Sequence, residues 1–185
     1  MKYLRCFALI VVNTTRWLLA ATLNFAFTLI AYPAALLLPA FATSTGYLPT
    51  WLWWFQTPDN SLDGDTAFQA SHAWFTPPQT GWRRYVNRIW WLMRNPAYGF
   101  GIDVAGVSVT ATPKLFGTLP LGGALTQSGW YFAWTSNAWQ FYGVWIYSST
   151  RCARLNLGWK LWQVPGVCQL VLSPLPFVSL PAIPA

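Results

Sequence analysis

The run Trp17-Leu-Leu-Ala-Ala-Thr-Leu-Asn-Phe-Ala-Phe-Thr-Leu-Ile-Ala-Tyr-Pro-Ala-Ala-Leu-Leu-Leu-Pro-Ala-Phe41 holds 25 residues and no charge. At 1.5 Å per residue such a helix is about 37 Å long, against a bilayer hydrocarbon core of about 30 Å. It predicts a transmembrane helix that tilts to fit. The uncharged stretch continues to Pro58, and Trp51, Trp53 and Trp54 within it form an aromatic belt of the kind found at headgroup level. Directly after it comes Asp59-Asn-Ser-Leu-Asp-Gly-Asp65, with three of the four acidic residues of the chain. An apolar anchor therefore runs straight into a polar turn.

Two other readings of the anchor stay open. Ala40-Phe-Ala42 looks like a signal-peptidase site, although the apolar run exceeds the roughly 7–15 residues of a signal h-region. Pro33 and Pro39 are placed to bend the segment into a hairpin whose second arm is 34–55, but Ser44-Thr-Gly46 would then lie in lipid. Lys2, Arg5 and Arg16 precede the run and no basic residue follows it before Arg83. That asymmetry predicts a cytoplasmic N-terminus.

Composition agrees with a membrane setting. Only 8% of the 185 residues are charged and 55% are hydrophobic, whereas soluble domains carry roughly 25% charged residues. Thirteen of the fourteen tryptophans lie from Trp51 onward. The net charge of +7 favours anionic partners, phospholipid headgroups before nucleic acid. Cys6, Cys152 and Cys168 make no disulfide framework, and the last two read as small buried side chains.

Beyond the acidic turn, Asp65 is positioned to cap a short helix through Trp74. Trp82 to Asn95 reads as an amphipathic helix. Trp82, Tyr85, Val86, Ile89 and Met93 form one stripe, with Arg84, Asn87, Arg88, Trp91 and Asn95 on or near the other side. Arg83, Arg84 and Arg88 beside Trp90 and Trp91 suit a helix lying in the membrane interface; a helix that covers the domain's own sheet is the other reading. From Tyr98 the period changes to two, predicting a strand through Val109 with a bulge at Ala105-Gly106. Further strands are expected over 129–135, 139–147 and 151–162, the middle one central because both its faces are apolar. The fold class expected is α+β: a transmembrane helix, an interfacial helix and a small antiparallel sheet. The corresponding divisions are an anchor at 1–55, loop and helix at 56–97, a β domain at 98–162 and a Pro-rich extended tail at 163–185.

Few residues point to chemistry. Asp59, Ser61, Asp63 and Asp65 match the opening of a calcium loop, but Ala70 stands where a bidentate Glu should close it. A divalent cation is one reading of the loop. A self-bonded turn that caps the next helix, or a salt bridge to Arg83, Arg84 or Arg88, are the others. Gln56 and Asn60 are candidate contacts for a protein partner. His72 is the only histidine, so a Ser-His-Asp or Cys-His triad has one possible base. An Asp63/His72 or Asp65/His72 dyad with Ser71 nearby can be drawn, without any nucleophile-elbow motif, and a hydrogen-bonded structural histidine is the other reading. Trp130, Trp134, Trp139, Phe141 and Trp145 would make a stacking platform for single-stranded nucleic acid.

Trp54-Phe-Gln-Thr-Pro-Asp-Asn-Ser-Leu-Asp-Gly-Asp65, Gly81-Trp-Arg-Arg-Tyr-Val-Asn-Arg88, Arg94-Asn-Pro-Ala-Tyr-Gly-Phe100 and Gly158-Trp-Lys-Leu161 together resemble a family of small proteins encoded by tailed bacteriophages. The likeness covers most of residues 20–162 and leaves the Pro-rich tail outside. It implies a setting, the inner membrane of an infected bacterium, and no activity or functional residues. The expectation is an inner-membrane accessory protein that binds a host or phage protein, rather than an enzyme. A small metal-dependent enzyme and a lysis or pore-forming protein are the alternatives.

Overall fold

The computed structural model describes residues 2–71, 80–123 and 125–180, with side chains from Leu9 onward. The uncharged run forms the second half of one long helix, α1 (Lys2–Ala34). This helix begins and ends earlier than the expected Trp17–Phe41 span. Its end has a local cause: Leu36 and Leu37 donate to Pro33 and Ala34, three residues back, so α-helical bonding tightens into a separate turn over Leu38–Phe41. Pro39 disfavours helix at the residue before it. The rest of the stretch from 34 to 55 holds a turn closed by Thr43 N–H donating to Tyr47 O at 2.8 Å, and a second tight turn over Thr50–Phe55. No second helix of spanning length forms there, which removes the hairpin.

The chain divides into two compact units, Thr22–Val104 and Met1–Ala21 with Ala105–Ala185. In the first, helical unit, α2 (Thr66–Ser71), α3 (Gly81–Arg94) and α4 (Tyr98–Asp103) follow the turns. Its core is Ala35, Leu38, Leu48, Leu52, Leu62, Phe68, Trp91 and Leu92. The helix α4 replaces the first part of a predicted strand. Alternating Gly99 and Gly101 produced the period of two, but Gly99 is there for packing. A Cβ on it would meet Gln56 O at 2.9 Å and the Trp53 carbonyl closer still. Phe100 then stacks on Phe27 at 4.5 Å.

The second, sheet unit contains β1 (Val107–Val109), β2 (Lys114–Gly117), β3 (Gly129–Trp134), β4 (Trp139–Ile146), β5 (Arg151–Trp159), β6 (Gly166–Cys168) and β7 (Leu170–Ser179). β1 pairs with β6, and the others form an antiparallel sheet in the order β2-β3-β4-β5-β7, with β4 central as its apolar faces predicted. Part of the Pro-rich segment is built into the sheet. Leu170–Ser179 forms the edge strand beside β5, where Pro174 and Pro176 are tolerated because an edge strand needs only one ladder of bonds. Cys152 and Cys168 are free, buried thiols, and burial pushes the Cys168 thiol above its ordinary pKa.

Residue by residue, the fold is α+β with an N-terminal apolar helix and antiparallel sheets. Within each unit, however, the amphipathic elements bury the side the pattern marks as polar. In α3 the buried residues are Asn87, Arg88, Trp91 and Leu92, while Trp82 and Trp90 are exposed. In the sheet, Gln140 and Asn156 are buried on the same face as Tyr131 and Tyr142. Gln140 Nε2 donates to Asn156 Oδ1 at 2.8 Å and Gln140 Oε1 accepts from Leu161 N–H at 3.0 Å. This pairing meets the desolvation cost of burying two amides.

Candidate functional site

The acidic turn is organised by Asp63. Arg84 and Arg88 stand four residues apart on α3, one turn, so both reach the same point. Arg84 donates to Asp63 Oδ1 and Oδ2 at 2.9 and 2.6 Å, and Arg88 to the same two oxygens at 2.8 and 3.3 Å. One carboxylate thus receives two guanidinium forks, the geometry that makes such pairs strong. Burial pushes the Asp63 carboxyl up, but the hydrogen bonds and charges of Arg84 and Arg88 outweigh it and hold the pKa at about 2. Hydrogen bonding to Asp63 raises the Arg84 pKa in turn.

The backbone completes the turn. Asp63 O accepts from Gln69 Nε2 and from Asn87 Nδ2, both at 3.2 Å. Gly64 takes φ +84°, the left-handed region that glycine enters without steric cost, and a Cβ there would lie 2.5 Å from Phe68. Gly46 closes the far side: its carbonyl accepts from Leu62 N–H, and a Cβ on it would meet Arg88 Nη2 at 3.1 Å and Asp63 Oδ2 at 3.2 Å. Asp65 caps α2, with Oδ1 accepting from Phe68 N–H at 2.6 Å. Both the capped-turn reading and the salt-bridge reading are therefore present, the latter through Arg84 and Arg88.

The other candidate residues scatter. Gln56, expected as a surface contact, is fully buried, with Oε1 accepting from Leu48 N–H and Nε2 donating to Asn60 O. It holds the turn from inside and cannot meet a partner there. Asp59 is exposed and Asn60 half-buried. Of the four oxygen ligands of the calcium-loop reading, Asp63 is bonded to two arginines, Asp65 to α2, and Ser61 Oγ accepts from Asp63 N–H at 3.4 Å. Among the described residues no group of three or more His, Cys, Asp or Glu is placed to hold a metal ion. His72, and with it the triad, lies outside the described residues.

The expected membrane-interface set divides similarly. Trp51, Trp54, Arg83 and Trp90 are exposed, Trp53 and Arg84 half-buried. Arg88 and Trp91 are interior: Arg88 through its pair with Asp63, and Trp91 through an edge-on contact with Phe68 at 5.1 Å. Arg88 thus follows the alternative in which it pairs with the acidic turn, and Trp91 belongs to the core of the helical unit.

In the sheet unit, Trp130, Trp134, Trp139, Phe141 and Trp145 do share one face, as the register Trp130↔Gly143, Phe132↔Phe141 and Trp134↔Trp139 requires. Phe116, Phe132, Leu157 and Leu172 extend that face across four strands. Phe132 follows from the alternation of the expected 129–135 strand, whereas Phe116 lies on β2, which no expected strand covers. Helix α1 touches this unit through Asn13, whose Nδ2 donates to Ser136 O, and Trp17, whose ring lies 5.2 Å from that of Trp139.

Residues 9–177 match the model of a family of unknown function, a span that includes most of β7 and so extends past the end of the phage resemblance. No curated protein and no solved structure matches the chain.

Proposed function

We propose, for a chain that belongs to that family of unknown function, DUF7338, a role as a membrane-anchored accessory protein that binds a partner at the bacterial inner membrane. The observation that carries this reading is the packing of α1. Asn13, Trp17, Ala21 and Ala31 are buried, whereas Leu18, Leu19, Leu23, Phe25, Leu29 and Ile30 are exposed, Leu23 at 60%. A water-soluble domain places large aliphatic side chains inside and polar ones outside. Helices in lipid do the reverse, with small and polar residues toward protein. Residues Leu9–Ala34 are long and apolar enough to cross a bilayer. The outward Trp82 and Trp90 of α3 and the exposed Trp51 and Trp54 support contact with headgroups.

The likeness to tailed-phage proteins supports an infected bacterium as the setting, and the basic N-terminus supports its cytoplasmic placement. The surface offered to a protein partner is the outer side of the acidic turn, Asp59 and Asn60. A bound divalent cation would have to compete with Arg84 and Arg88 for Asp63; titration calorimetry with calcium or magnesium tests it, and absence of heat removes it. Topology is tested by a reporter fusion after residue 60 of the chain. A periplasmic signal is expected; a cytoplasmic signal contradicts a single span with a cytoplasmic N-terminus.

A further inference from the structure

The aromatic face of the sheet unit is not flat. Where α1 runs beside it, Leu9, Ile10, Phe116, Phe132, Trp134 and Trp139 enclose a groove of about 890 Å³ with Lys114 among its lining residues. That volume falls within the roughly 300–1,000 Å³ of small-molecule sites, which are likewise mostly apolar with few polar groups. Lys114 pairs in register with Trp134 and is exposed. Its charge stands in a distinctive setting. Residues 1–21 and 105–185 carry seven basic residues, Lys2, Arg5, Arg16, Lys114, Arg151, Arg154 and Lys160, and no Asp or Glu. All four acidic side chains belong to the helical unit. An apolar slot with a cation beside it, in a unit without acidic side chains, fits a long apolar ligand with an anionic end.

We propose that this groove holds one acyl chain of an anionic phospholipid, with Lys114 meeting its phosphate. The proposal rests on the membrane reading only for the source of the lipid. Single-stranded nucleic acid suits the groove less well. Its backbone needs a track of cations along the stacked bases, and of the basic residues described only Lys114 lines the groove. Arg16 lies over the Trp159 ring, Lys160 is hydrogen-bonded to Gln169, and Arg154 is on the opposite face with Asn156. The aliphatic wall of Leu9 and Ile10 offers a base nothing to stack on, whereas it suits a hydrocarbon chain.

The test is native mass spectrometry of the full chain in detergent, offered equal phosphatidylglycerol and phosphatidylcholine, with oligothymidylate as competitor. The expected result is retention of phosphatidylglycerol about fivefold over phosphatidylcholine, the preference one lysine provides near a surface. Lys114→Gln should bring the two lipids to parity. Thr112→Trp, an exposed groove position, should remove retention of both while near-UV circular dichroism shows an intact fold. Equal retention by the unaltered chain, retention that Thr112→Trp leaves unchanged, or displacement of lipid by oligothymidylate each overturns the proposal, the last in favour of a nucleic-acid platform. Alkaline extraction of the bacterial membranes that contain the chain, followed by the same lipid measurement, separates the two ideas. A chain that leaves the membrane yet keeps the lipid refutes the anchor and spares the groove; one that stays in the membrane without retaining lipid does the opposite.

Discussion

The two units of this protein treat charge in opposite ways. In the helical unit four aspartates accompany four arginines, Arg83, Arg84, Arg88 and Arg94. Its best-defined ion pairs, Arg84 and Arg88 on Asp63, are internal to the fold. The sheet unit carries seven basic residues and no acidic one. The difference teaches that one unit balances its own charge and the other carries a net positive charge. Where a carboxylate takes two arginines and lies half inside, removing it exposes the fold to two unpaired cations. Where cations stand at the surface, removing one should leave the fold alone and alter only what binds.

The comparison can be broken by mutation, starting with the largest expected effect. Asp63→Ala strands Arg88, which is 10% exposed at its side chain, and should cost about 3 kcal/mol in urea denaturation of the detergent-solubilised chain. An unchanged midpoint would mean that the pair contributes little to stability. Next, Gln140→Ala in the sheet unit leaves Asn156 Oδ1 and Leu161 N–H without their partner, with an expected loss of about 1–3 kcal/mol. This predicts that the sheet unit depends on neutral polar pairing as the helical unit depends on charge.

Acid should act on the helical unit alone. The folded pKa of Asp63, about 2, lies below its ordinary 3.8, so its contribution is complete above pH ~4 and is lost as pH falls toward 2. With partial exposure allowed for, the loss is about 1–2 kcal/mol, read as a drop in melting temperature that Asp63→Asn should abolish. Smallest of all, Lys114→Gln and Asp59→Ala should each change stability by less than about 0.5 kcal/mol. A larger effect of Lys114→Gln would place that lysine among the structural charges and weaken the contrast.

Much of the fold was readable from sequence wherever a local pattern and a stop signal agreed. Helix α3 ends at Arg94 before Pro96, the central strand is Trp139–Ile146, and Gly64 and Asp65 serve as turn and cap. What escaped was decided by contacts distant in sequence. Gly99 packs against the backbone of Trp53 and Gln56, turning an alternating stretch into a helix. Pro174 and Pro176 read as a tail because proline weakens strand patterns, yet the free edge of β5 accepts them. The candidate site was legible in its residues and not in their roles. Asp63 and Gln56 looked like surface groups, but Arg88 from α3 and Leu48 from an earlier turn enclose them. Periodicity identifies the two faces of α3 correctly; only the partner loop reveals which face is inside.

That inversion, small and polar residues inside α1 and large aliphatic ones outside, is the basis for reading the chain as a membrane protein. Alkaline extraction of bacterial membranes containing the full chain tests it most directly. The account predicts that the unaltered chain stays in the pellet, and that Leu23→Lys with Leu29→Lys, both at outward positions of α1, moves it to the supernatant. An unaltered chain that is released by alkali as a folded, soluble protein would contradict the account at its centre.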